Sequence, residues 1–157
     1  LWMLMRTRAP WIAEFLSTDG GRTWMEQEPT IPHTPSRFHI RRLQSGRLLL
    51  VKNGPMQQPS GGRDRMTAFL SDDDGKTWPH SLRLFEGACS YPDADQAPDG
   101  RIFVIYDRGR TGPGARILMS SIREEDILAG ALVAKDSKLN LVVAITGPND
   151  SPERKTN

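Results

Sequence analysis

Ser17-Thr18-Asp19-Gly20-Gly21-Arg22-Thr23-Trp24 and Ser71-Asp72-Asp73-Asp74-Gly75-Lys76-Thr77-Trp78 are two copies of one pattern, S-x-D-x-G-x-T-W, with Ser71 lying 54 positions after Ser17. A fixed period near fifty residues marks one supersecondary unit used more than once, as in a propeller or solenoid. Within each copy the Ser and Asp side chains suit hydrogen bonds to nearby backbone amides. Gly21 and Gly75 suit a backbone position with positive φ. The Thr-Trp pair then restarts a strand and supplies a large apolar anchor. Each copy therefore reads as a self-locked hairpin turn. The rival reading is a calcium loop, for the acid run Asp72-Asp73-Asp74-Gly75. Such a loop needs acids at alternate positions and a Glu further on. Leu70 stands where the first acid would fall, and the first copy carries a single Asp.

The repeat reaches beyond the signature. Gln44-Ser45-Gly46-Arg47-Leu48 and Pro98-Asp99-Gly100-Arg101-Ile102 are turn-then-strand segments, and Gly46 and Gly100 are again 54 apart. The strands that follow, Leu48–Val51 and Ile102–Tyr106, are continuous apolar runs, which predicts burial on both faces. Trp2–Met5 reads as the same strand of an earlier unit. A second strand leads into each signature, at Trp11–Leu16 and Arg65–Leu70, with a third equivalent at Arg116–Ser120. There the signature is replaced by Arg123–Ala129, whose early acids suit a short helical turn. Leu139–Ile145 is a last strand. Each unit has room for about four strands, the content of a propeller blade. The expectation is an all-β chain, a partial β-propeller of about two complete four-stranded blades with parts of others, over residues 1–146. Residues 147–157 read as a polar, disordered tail.

Composition agrees with this and excludes other classes. The 157 residues include 14 Gly and 12 Pro, which favours short strands and turns. A net charge of +2, with acids and bases interspersed, makes no case for nucleic acid as a partner. No apolar run approaches a membrane span. The one cysteine, Cys89, leaves no intrachain disulfide. His33 and His39 lie in a Pro-rich connection without metal-ligand spacing, so no metal and no cofactor are expected. Arg41-Arg42 and Arg108-Gly109-Arg110 read as solvated turns, and Asp93, Asp95 and Asp107 as turn acids. The chain opens without Met and in mid-strand, which raises the expectation of upstream sequence.

The S-x-D-x-G-x-T-W signature resembles the Asp-box of sialidases (neuraminidases), also known as BNR-repeat proteins. That resemblance implies a six-bladed propeller. It also implies arginines that hold the substrate carboxylate, one on a strand end about a dozen residues before an Asp-box. Arg6 sits 11 residues before Ser17 in that place. Another lies just before the strand entering the next box, where Arg63 sits 8 residues before Ser71. The family's nucleophilic tyrosine follows the box and precedes a turn, a strand and an acidic residue, and Tyr91 occupies that place. The chemistry fits these residue types. A guanidinium fork binds a carboxylate bidentately and stays charged. A neutral phenol avoids the repulsion that an anionic nucleophile would meet at an anionic sugar, and sialidases depart from the two-carboxylate scheme in this way.

The resemblance thus implies a retaining, exo-acting sialidase-like glycoside hydrolase. Its partner would be a sialylated or other acidic glycan, with Tyr91 as nucleophile and Arg6 and Arg63 as substrate ligands. By the same mapping the family's Glu, its Asp acid/base and its first arginine fall ahead of Leu1, so the isolated chain is expected to be inactive. Pro92 follows Tyr91 where many sialidases have a small polar residue, a departure that bears on the substrate. The alternative is a non-catalytic carbohydrate-binding or structural Asp-box propeller. Location is left open, secreted or periplasmic if the parent carries a signal peptide.

Overall fold

The computed structural model describes residues 1–110 and 114–145. Its strands are β1 (Trp2–Met5), β2 (Ala13–Leu16), β3 (Met25–Gln27), β4 (His39–Arg42), β5 (Leu48–Asn53), β6 (Met66–Ser71), β7 (His80–Phe85), β8 (Cys89–Gln96), β9 (Ile102–Arg108), β10 (Arg116–Ile122) and β11 (Lys138–Ile145). The short helix α1 (Glu124–Ala129) lies between the last two. They form three antiparallel sheets, ordered β1-β2-β3, β4-β5-β6-β7 and β11-β10-β9-β8. Within each sheet the strands pair in sequence order, the meander of a propeller blade. The chain is all-β, a partial propeller with two complete four-stranded blades and three strands of another. The expected tail at 147–157 lies outside the described residues. Among those described, no helix is long and apolar enough to cross a membrane.

Both signatures close in the same way. In the first, Gly21 N–H donates to Ser17 Oγ at 2.8 Å, Thr23 N–H to Asp19 Oδ1 at 3.0 Å and Thr23 Oγ1 to Asp19 Oδ2 at 2.6 Å. The second repeats this set, from Gly75 to Ser71 at 2.8 Å and from Thr77 to the two oxygens of Asp73 at 2.8 and 2.6 Å. Gly21 and Gly75 stand at φ 92° and 89°, as the turn requires. The neighbouring acids point elsewhere: Asp72 pairs with Arg47 at 2.6 Å and Asp74 with Arg42 at 2.8 Å. Asp72 and Asp74 thus face separate cations while Asp73 is spent on its own turn, and the three carboxylates do not converge. Among the described residues no group of three His, Cys, Asp or Glu is placed to hold a metal ion.

Blades stack face to face, and the central one is covered on both sides. All residues of β5 and β6 are buried. Alternate side chains point to opposite faces of a strand. Leu49, Val51, Ala68 and Leu70 accordingly join a core with Ile102, Val104 and Tyr106 of the last blade. Leu50 and Phe69 join a second core with Ile12, Trp2 and Leu4 of the first. β9 departs from the expectation of two-sided burial. Ile102, Val104 and Tyr106 are buried, but Ile105 is 42% exposed, because no described blade covers its face. Ion pairs also link the innermost strands β4 and β8: Arg41 to Asp95, and His39 Nδ1 to Asp93 Oδ1 at 2.7 Å. Burial holds His39 below the usual histidine range despite the Asp93 carboxylate. The Pro-rich connection before β4 is packed in the interior rather than solvated, with Ile31, His33 and Ser36 buried.

Candidate active site

The meander leaves the two signature turns, and α1 in the last blade, at one end of the sheets and the ends of β1, β5 and β9 at the other. Leu1, Leu48 and Ile102 are equivalent by register: Leu1 and Leu48 sit opposite Ser17 and Ser71, and Ile102 opposite Ile122. Five residues on, the same strand end carries Arg6, Asn53 and Asp107 in three successive blades. A repeat that conserves backbone geometry while varying the residue at one end is how a propeller builds a mixed polar site.

Each strand end and connection places one group. Arg6 follows β1 directly and is exposed. Arg63 lies on the connection from β5 to β6, which is tied down at several points. Cys89 N–H donates to Arg63 O at 2.8 Å, Arg65 N–H to Glu86 O at 3.1 Å, and Asn53 Nδ2 to Asp64 O at 2.9 Å. Lys52, 2% exposed, donates from Nζ to Pro55 O at 2.6 Å at the start of that connection. Burial, reinforced by the Arg65 charge, draws its ammonium down to about 7. Arg65, the other candidate beside Arg63, donates to Asp64 at 3.0 Å and Ser60 at 2.7 Å within its own loop. Arg63 instead donates to Pro35 O at 2.8 Å and carries its guanidinium 5.5 Å from the centre of the Tyr91 ring.

Tyr91 lies within a strand. It sits in β8, where the pairing with β9 slips between Ser90 and Asp93. Pro92 has no N–H to give to the ladder, and a bulge absorbs the mismatch. Tyr91 adopts φ 54°, a left-handed conformation uncommon for a non-glycine residue. Such strain, about 1–3 kcal/mol, persists only where the surroundings impose it. The phenol is drawn down to about 8 by Arg110 first, then by Arg63 and Arg6. Three guanidinium groups on three connections thus converge on one phenol. A cavity of 270 Å³ lies beside it, lined by Tyr91, Ile105, Tyr106, Asp107, Arg110 and Ile117. A larger groove of 920 Å³ lies between the first two blades, among Trp2, Leu16, Leu48 and Gly75. It is at the signature end of the sheets, so charge convergence rather than volume marks the candidate site.

The sequence pattern of the BNR repeat-like domain family matches residues 1–104. The chain belongs to that family. It is also similar to the sialidases of two Vibrio cholerae serotype O1 strains, classical Ogawa and El Tor Inaba, each 30% identical over 105 residues. These matches cover 60% of the chain and 13% of each sialidase, so the chain spans about an eighth of the length of those relatives. Within this BNR-repeat frame, the structure brings Arg6, Arg63 and Tyr91 together. Arg110, which the sequence presents as part of a solvated basic turn, lies 4.0 Å from the centre of the Tyr91 ring. The family match ends at Val104, short of Arg110. The one signal for it in the sequence is that the β9–β10 connection leaves the same end of its blade as Arg6 and Arg63 do. Cys89, beside Tyr91 in sequence, is no rival nucleophile: it is buried, and burial pushes its thiol up to about 11.

Proposed function

We propose that this chain supplies the nucleophile and two carboxylate-binding arginines of a sialidase-like, retaining glycoside hydrolase, with residues 1–146 as its share of the propeller. The observation that carries this reading is the convergence of Arg6 and Arg63 on Tyr91 at one end of the blades. A phenol with a pKa near 8 is ionised in about a tenth of molecules at neutral pH, far more than an ordinary tyrosine. The guanidinium groups suit a sugar carboxylate placed beside that phenol. In the first step the Tyr91 oxygen bonds the anomeric carbon as the glycosidic C–O bond breaks. The phenol proton goes to a base and the leaving oxygen receives a proton from an acid. Water then releases the sugar with net retention. The Glu and Asp that serve as base and acid in the resemblance map ahead of Leu1.

The test is release of sialic acid from a fluorogenic sialoside by a propeller carrying this chain together with the segment ahead of it. Hydrolysis that disappears in Tyr91→Phe supports the reading. Hydrolysis that survives unchanged in Tyr91→Phe overturns the nucleophile assignment. The 157-residue chain alone is expected to give no turnover, and measurable turnover from it would refute the mapping of the missing groups. A well-folded parent that binds sialic acid without cleaving it would shift the reading to a carbohydrate-binding propeller.

A further inference from the structure

We propose that Arg110 is a positioning residue for Tyr91, clamping the phenol ring by its face and balancing the negative charge the ring carries when it attacks. The geometry is a closed circuit of neighbours. Arg110 lies over the ring at 4.0 Å from its centre, closer than Arg63 at 5.5 Å. Its guanidinium pairs with Asp107 at 3.9 Å, and Asp107 accepts a hydrogen bond from Ser90 Oγ at 2.7 Å. Ser90 immediately precedes Tyr91, so the acid that steers Arg110 is itself fixed to the strand that carries the phenol. Gly109, at φ 65°, makes the turn that swings Arg110 back over β8.

The bulge explains why such a clamp is needed. Tyr91 has no partner in the ladder with β9. Regular strand pairing therefore does not fix its ring, and a side-chain contact has to. A guanidinium within about 6 Å of an aromatic face is attracted by the ring quadrupole. Ionisation of the phenol spreads negative charge into that ring, so the same cation holds the ionised ring more strongly than the neutral one. The charged groups around the phenol are Arg6 beyond β1, Arg63 before β6, Arg110 beyond β9, and Asp107 on β9. Asp93 on β8 is turned to His39 at 2.7 Å. Arg110 belongs with the phenol, whereas Arg6 and Arg63 suit the substrate carboxylate. The role, though not the contact, rests on Tyr91 being the nucleophile.

The chain offers a direct readout, because it has two tyrosines whose titrations are far apart. Tyr91 ionises near 8, and Tyr106, buried and bonded to Ser120 and Asn140 at 2.9 Å, is pushed up to about 12. Titration of tyrosinate absorbance in the 157-residue chain should show two steps, the first absent from Tyr91→Phe. In Arg110→Gln the first step is expected to move up by about one unit or more, toward the ordinary value near 10. Arg110→Lys, which keeps the charge and loses the guanidinium fork, should fall between. An unmoved Tyr106 step reports an intact core, and Arg110→Met, which keeps the stem, stands in if the Gln variant misfolds. A first step at the wild-type position in Arg110→Gln, or in its Met substitute, overturns the proposal. In a hydrolysing parent the same variant should lower kcat with little change in KM, since the carboxylate keeps its own arginines. A parent that releases no sialic acid would sink the functional reading and leave the titration result standing. A failed titration would leave the nucleophile assignment intact.

Discussion

The two signature turns share the bonds from Ser to Asp, from Gly to Ser and from Thr to Asp, yet they occupy different surroundings. Trp24 of the first is 38% exposed and donates from Nε1 to Gly21 O at 3.1 Å. Trp78 of the second packs against the core between the first two blades, and its buried Nε1 has no partner. A Cβ on Gly21 would lie 3.3 Å from Leu1 Cδ1, whereas one on Gly75 would lie 2.7 Å from the Trp2 ring of the neighbouring blade. The turn is thus a local object with the same internal chemistry wherever it stands. What it contributes to the fold depends on which blade lies against it.

The largest expected difference is at the glycines. Gly75→Ala combines left-handed strain of about 1–2 kcal/mol with overpacking of about 1–3 kcal/mol against Trp2. Gly21→Ala should show the strain with little overpacking, because its 3.3 Å contact is with the end of the exposed Leu1 side chain, which can shift. Equal shifts in urea midpoint for the two variants would break the comparison. Next come the tryptophans. Trp78→Ala should cost about 2–3 kcal/mol, below the range for a fully buried aromatic because the residue is only half-buried. Trp24→Ala should cost under about 1 kcal/mol by the same measurement, as expected for an exposed site.

The smallest difference should be at the aspartates, where the copies ought to behave alike. Hydrogen bonds from Thr77 and Ser71 draw the Asp73 carboxyl down to about 2, and Thr23 and Ser17 hold Asp19 lower still. A carboxyl with a depressed folded pKa stabilises the fold above its ordinary value of 3.8, and that contribution is lost as pH falls toward the folded value. Asp73→Asn and Asp19→Asn should therefore each flatten the stability profile below about pH 4, to a similar extent. His33 acts in an earlier window. Burial draws it down to about 4 from 6.5, so the unfolded chain takes up its proton first and stability declines between those values. His33→Gln should remove that decline while leaving the aspartate limb in place, as pH-dependent urea unfolding would show.

Much of the architecture was legible because it is encoded locally. The Asp-box residues spend their side chains on their own turn, so the repeat announced hairpins, their period and the strands on either side. Strands β4, β7 and β8 were harder to see. Polar residues of β4 and β8, such as His39, Arg41, Asp93 and Asp95, find partners in the adjacent blade, so these strands read as turns. Strand β7 does alternate, with Leu82 and Leu84 buried and Ser81 and Arg83 exposed, but it holds no β-branched residue. The Pro-rich connection carries no local sign of its burial: Thr34 Oγ1 donates to Ser60 O at 3.0 Å, a partner 26 residues away.

At the candidate site, the resemblance to sialidases singled out Arg6, Arg63 and Tyr91, while the role of Arg110 had no local signal. The sequence by itself determined the repeating blade, its turn chemistry and the strand ends on which polar residues fall, because those depend on hydrogen bonds a few residues apart. Only the tertiary structure decided which of those ends meet. The stacking of blades sets Arg110 over Tyr91, buries Lys52 under the Arg63 connection and leaves Ile105 exposed. The Arg110–Tyr91 contact and the cover or exposure of Lys52 and Ile105 depend on which segments pack against them, and no local pattern fixes that.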